Sequence, residues 1–69
     1  MISINGKQYE VIEATTPHQM RDMGKPNTAN QMIKSKIEQV LVVKPVRGKT
    51  FYQVSQYKNG NFGKMIKAA

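Results

Sequence analysis

Residues 39–69 carry Lys44, Arg47, Lys49, Lys58, Lys64 and Lys67 and not one Asp or Glu. A block of cations without compensating carboxylates projects a positive field, and the partner it attracts is a polyanion. Phe51, Tyr57 and Phe62 are interleaved with these cations. That mixture suits nucleic acid: aromatic rings stack bases for about 1–3 kcal/mol each, while lysines neutralise the backbone. Sheet-based RNA-binding modules divide the work in a similar way. Arg47 and Lys49 flank a candidate hairpin tip and Lys58 sits at the next one. A tip can reach into a groove, and the arginine fork matches phosphate or guanine. The bland alternatives are a solvated face that keeps a small protein soluble, and three aromatics that serve as a second layer of core.

Catalytic chemistry is poorly supplied. His18 is the only histidine, Ser3, Ser35 and Ser55 lack the surroundings of a nucleophile, and cysteine is absent. A thiolate site and a disulfide framework are therefore excluded. Glu10 and Glu13, three apart in a candidate strand, are expected on opposite faces. Nothing approaches the ligand count of a zinc or calcium site, and no phosphate-loop or dinucleotide glycine pattern occurs. The expectation is no enzyme, no cofactor and no metal. Gly6, Gly24, Gly48 and Gly60 read as turn or cap residues, and Gly63 as the mark of a bulge.

The elements that must position these residues can be read from local signals. Met1–Ile4, Asn5-Gly6 and Lys7–Ala14 form a hairpin pattern, because both central positions of a type I′ turn need positive φ. Thr16 caps a short helix with Pro17 in its first turn, Gln19 completing a capping box and Gly24 closing it. Thr28–Val40 offers a second helix with Thr28 as its cap and Gln31 three residues on, ending near Lys36 where the Val40–Val43 run favours a strand. Strand throughout from Ile33 is the alternative. Glu38–Val46, a turn at Arg47-Gly48, Lys49–Lys58, a turn at Asn59-Gly60 and Asn61–Lys67 make a three-stranded antiparallel meander.

Register then assigns the faces. Two-residue turns pair Val43 with Tyr52, Leu41 with Val54, and Val54 with Met65. One face of the meander carries Leu41, Val43, Tyr52, Val54 and Met65, a core face for the helices to cover. The other carries Val42, Lys44, Phe51, Gln53, Ser55, Tyr57, Phe62, Lys64 and Ile66, with Tyr57 opposite Phe62, Lys44 opposite Phe51 and Lys64 opposite Ser55. A three-residue first turn would exchange the two faces.

At 69 residues and a formal net charge of +7, the chain is one small basic domain, residues 1–69. A domain this small without disulfide or metal either packs efficiently or pairs with a copy of itself as a homo-oligomer. The longest apolar run, Val40–Val43, is too short to span a bilayer. Lys7, Glu10 and Glu13 interrupt the stretch where a secretory signal needs apolar residues, so a cytoplasmic location is expected. The expected fold is α+β: an N-terminal β-hairpin, one or two short helices and the C-terminal meander. A small all-β barrel with helical turns is the second choice. The expected function is non-catalytic binding of nucleic acid, DNA or RNA, through Lys44, Arg47, Lys49, Phe51, Tyr57, Lys58, Phe62, Lys64 and Lys67. The rival is a small protein-binding modulator that docks its basic surface on an acidic partner.

Overall fold

The computed structural model describes residues 1–68. It is an α+β fold with the element order β1 (Ile2–Ile4), β2 (Lys7–Thr15), α1 (Pro17–Asp22), α2 (Pro26–Lys34), β3 (Ile37–Pro45), β4 (Tyr52–Tyr57) and β5 (Ile66–Lys67). The strands form one antiparallel sheet in sequence order, so the N-terminal hairpin and the C-terminal meander share a single sheet through the β2–β3 pairing.

Local signals account for most of the elements. Asn5 and Gly6 both take positive φ, 53° and 81°, as a type I′ turn demands, and Ile4 pairs with Lys7 across it. The α1 capping box forms in full: the Gln19 N–H donates to Thr16 Oγ1 at 3.2 Å and the Thr16 N–H to Gln19 Oε1 at 2.9 Å. Gly24, at φ 82°, ends this helix. Its N–H donates to the Arg21 carbonyl and the Lys25 N–H to the Met20 carbonyl, both at 3.0 Å, which is the Schellman pattern. The second helix starts earlier than Thr28. Pro26 occupies its first turn and Lys25 its N-cap, without a side-chain cap bond. Proline's fixed φ is already helical and its missing N–H is no loss there, so it sets the start ahead of the threonine. Lys36, at φ 59°, turns the chain out of α2 and into β3.

The β3–β4 register is the one expected, Val43 opposite Tyr52 and Leu41 opposite Val54. The connection is wider than a two-residue turn at Arg47-Gly48: the ladder opens beyond Val43–Tyr52, and residues 46–51 form a loop. Beyond β4, Gln53 pairs with Ile66 and Tyr52 with Lys67, again as expected. Phe62, however, pairs with Gln56, where the two-residue turn had set it opposite Tyr57. One extra residue between Phe62 and Ile66 separates the two registers, and Gly63, bonded through its N–H to the Ser55 carbonyl at 2.8 Å, sits at that bulge.

The core consists of Ile4, Tyr9, Leu41, Val43 and Val54, with Ile2, Tyr52, Phe62 and Met65 packed against it. All five residues of the expected core face are present. The expected cover is different. No helix residue belongs to this cluster, and β1 and β2 supply Ile2, Ile4 and Tyr9 instead. Helix α2 buries Ala29 and Met32 outside this cluster while α1 buries no residue, and Arg21 Nη2 donates to Asn30 Oδ1 at 3.3 Å between the two helices. No helix among the described residues is long and apolar enough to cross a membrane.

Candidate nucleic-acid interface

The loop at residues 46–51 is fastened at its base. The Val46 N–H donates to the Gln8 carbonyl at 3.3 Å, and the Gly48 N–H to the Pro45 carbonyl at 3.0 Å. Lys44 Nζ donates to the Gly48 carbonyl at 3.2 Å and lies 3.4 Å from Glu10 Oε2. Arg47 and Lys49 are exposed on this anchored loop. Lys58 is exposed in the turn after β4, whose Gly60 has φ 89° and whose Gly60 N–H donates to the Tyr57 carbonyl at 2.9 Å. Lys64 and Lys67 are exposed in and beside β5. Among the described residues the Lys/Arg–carboxylate ion pair is Lys44–Glu10, and His18 Nε2 lies 3.4 Å from Asp22 Oδ2, so Arg47, Lys49, Lys58, Lys64 and Lys67 face no paired carboxylate.

Lys44 stands apart from the other cations. Its side chain is 24% exposed and its ammonium is already shared between Glu10 and the loop carbonyl. Sequence reasoning set Lys44 opposite Phe51, but the pairing that matters is with Glu10 across the β2–β3 ladder. Glu13 lies on the same face as Glu10, contrary to their spacing, because the register shifts between Val11 and Glu13 and Ile12 becomes the extra residue. The outer face of the meander therefore continues into a strand that bears two carboxylates.

The three aromatics separate. Phe51 remains 43% exposed at the end of the loop. Tyr57 is half-buried, its ring so near Gly63 that a Cβ there would sit 3.2 Å from Cε2. Phe62 packs against the core on the face opposite to the one expected, since the bulge at Gly63 inverts the side-chain alternation. An open platform of three stacked rings does not form.

Two cations that sequence reasoning passed over join the basic group through tertiary structure. Lys7 lies beside Arg47 and Tyr52 in a cleft of about 630 Å³ between the N-terminal hairpin and the β3–β4 loop. Lys36 lies beside Tyr57 and Lys58 in a second cleft of about 480 Å³. Its carbonyl accepts the Lys58 N–H at 3.0 Å, and its positive φ turns the chain toward that strand end. Neither cleft is lined by a carboxylate, whereas Glu13 and Asp22 share a different cleft between β2 and α1. Tyr52 opens β4 at the first basic cleft and Tyr57 closes it at the second. Five strand steps at about 3.3 Å each separate them by roughly 17 Å along the strand.

Comparison of the chain with protein-family models, with curated proteins and with solved structures finds no match.

Proposed function

We propose that this protein is a non-catalytic nucleic-acid-binding domain. The observation that carries the reading is the set Arg47, Lys49, Lys58, Lys64 and Lys67, all exposed and none held in an ion pair among the described residues. Free cations grouped on one stretch of chain, with Glu10 held by Lys44 and with Glu13 and Asp22 lining another cleft, favour a polyanion. Support for that partner comes from the anchored loop that presents Arg47 and Lys49, and from the tyrosine beside paired cations at each end of β4.

The test is a salt series of fluorescence anisotropy titrations with single- and double-stranded DNA and RNA. With about four phosphate contacts, log K falls against log salt with a slope near −0.9 per contact on duplex or −0.7 on single strands. Replacing Arg47 and Lys49 together by alanine flattens the slope by about two contacts. No binding to any of the four at low salt overturns the proposal and turns attention to an acidic protein partner for the same surface.

A further inference from the structure

The cleft between the N-terminal hairpin and the β3–β4 loop differs from the rest of the basic surface in having walls. Pro45, Val46 and the half-buried Tyr52 give it an apolar side, and Lys7 and Arg47 supply two exposed cations. Gln8 adds an amide that can both donate and accept. Its volume of about 630 Å³ falls within the range of small-ligand clefts, which pair a mostly apolar lining with a few polar groups. The hydrogen bond from Val46 to Gln8 ties the loop to the hairpin, and the one from Gly48 to Pro45 closes the loop's own first turn.

We infer that this cleft takes one whole nucleotide, its base against Tyr52, Pro45 and Val46 and its phosphate between Lys7 and Arg47. This deepens the nucleic-acid-binding reading and rests on it, since the nucleotide is an unstacked member of a bound strand. Charge and shape choose the occupant together. Two cations without a lining carboxylate call for an anion, and an apolar wall with a tyrosine calls for a planar group attached to it. A bare phosphate would leave the wall unused, and an uncharged base would leave the cations unused. A nucleoside phosphate satisfies both, and single-strand recognition commonly proceeds by splaying out one base onto an aromatic side chain.

The experiment is amide chemical-shift mapping of the full chain by NMR at low salt. The titrants are a nucleoside 5′-monophosphate, the matching nucleoside, inorganic phosphate and a short single-stranded oligonucleotide. The expected result is saturable shifts at Lys7, Gln8, Arg47, Gly48 and Tyr52 with the monophosphate, at concentrations about tenfold below those the nucleoside or phosphate needs, a difference of about 1.4 kcal/mol. Lys7→Ala and Arg47→Ala each weaken that binding severalfold. Lys25→Ala, which removes the same charge from the exposed cap of α2, leaves it unchanged. Both cleft residues are exposed, so these variants keep the fold. Monophosphate shifts scattered over all lysines, beside tight oligonucleotide binding, overturn the cleft and leave the broader proposal standing. Equal potency of inorganic phosphate and monophosphate also overturns it, since the base would then add nothing. Saturation of the cleft by monophosphate without any oligonucleotide binding supports the site and overturns the strand-binding function.

Discussion

Gly60 and Gly48 show how two glycines in similar turns come to matter for different reasons. Gly60 adopts φ 89°, where a side chain is strained whatever space surrounds it. Gly48 takes an ordinary φ, contrary to the left-handed position that a two-residue hairpin turn assigns it. A Cβ there would meet the Pro45 ring at 3.1 Å. Gly60→Val is expected to destabilise by about 1 kcal/mol or more beyond Asn61→Ala, read from urea unfolding midpoints. Lys44 makes a second case. With its ammonium held by Glu10 and the Gly48 carbonyl, Lys44→Met costs about 1 kcal/mol of stability and leaves the salt slope of nucleic-acid binding within error of the parent. Arg47→Ala shows the reverse pattern, a flatter slope with stability unchanged. A flattened slope for Lys44→Met would mean that the lysine leaves its partners for phosphate.

Among the elements, the last strand decides which aromatics are structural. The bulge at Gly63 turns Phe62 inward, while Phe51, at the end of the 46–51 loop, is exposed. Phe62→Ala is expected to cost about 2 kcal/mol or more, whereas Phe51→Ala stays within about 0.5 kcal/mol, both measured by thermal melting. Similar losses for the two would place Phe51 in the core as well. Turn and cap chemistry is local, so the Asn5-Gly6 hairpin, the Thr16 capping box and the Leu41–Val54 register were all legible from residue types and spacing. What escaped depends on distant partners. The β2–β3 pairing that adds Ile4 and Tyr9 to the core joins segments separated by two helices, and no local signal announces it. A single inserted residue, Ile12 in one strand and the Gly63 bulge beyond another, reversed the faces of Glu13 and Phe62, because strand alternation has a period of two. Of the binding candidates, the exposed lysines and Arg47 were readable from charge. Lys7 and Lys36 were not, since only folding brings them beside Arg47 and Lys58.

For the whole molecule, charge opposes compactness. A net charge of +7 on 69 residues repels itself, and only Lys44 among the C-terminal cations is neutralised by an ion pair among the described residues. Raising salt from about 0.01 to 0.15 M shortens the screening length from about 30 to 8 Å. The melting temperature is expected to rise over that range, and the same rise in salt weakens nucleic-acid binding. A melting temperature that falls with salt would show that attractive pairs outweigh the repulsion. Bound polyanion has the same sign of effect as salt: it stabilises the folded state by mass action, so the oligonucleotide that binds best raises the midpoint most.

The strand order has a kinetic meaning. Every strand in this sheet pairs with its neighbour in sequence, and the widest gap, between β2 and β3, is largely filled by α1 and α2. Helices shorten the distance a chain end must search, and neighbouring hairpins ask for little loop-closure entropy. Strands can add in order, from the β1–β2 hairpin toward β5, as the nascent chain lengthens. The first cleft needs the β3–β4 loop against β2 and the second needs the end of β4 against Lys36, so the charged surface is assembled together with the Leu41, Val43 and Val54 centre of the sheet.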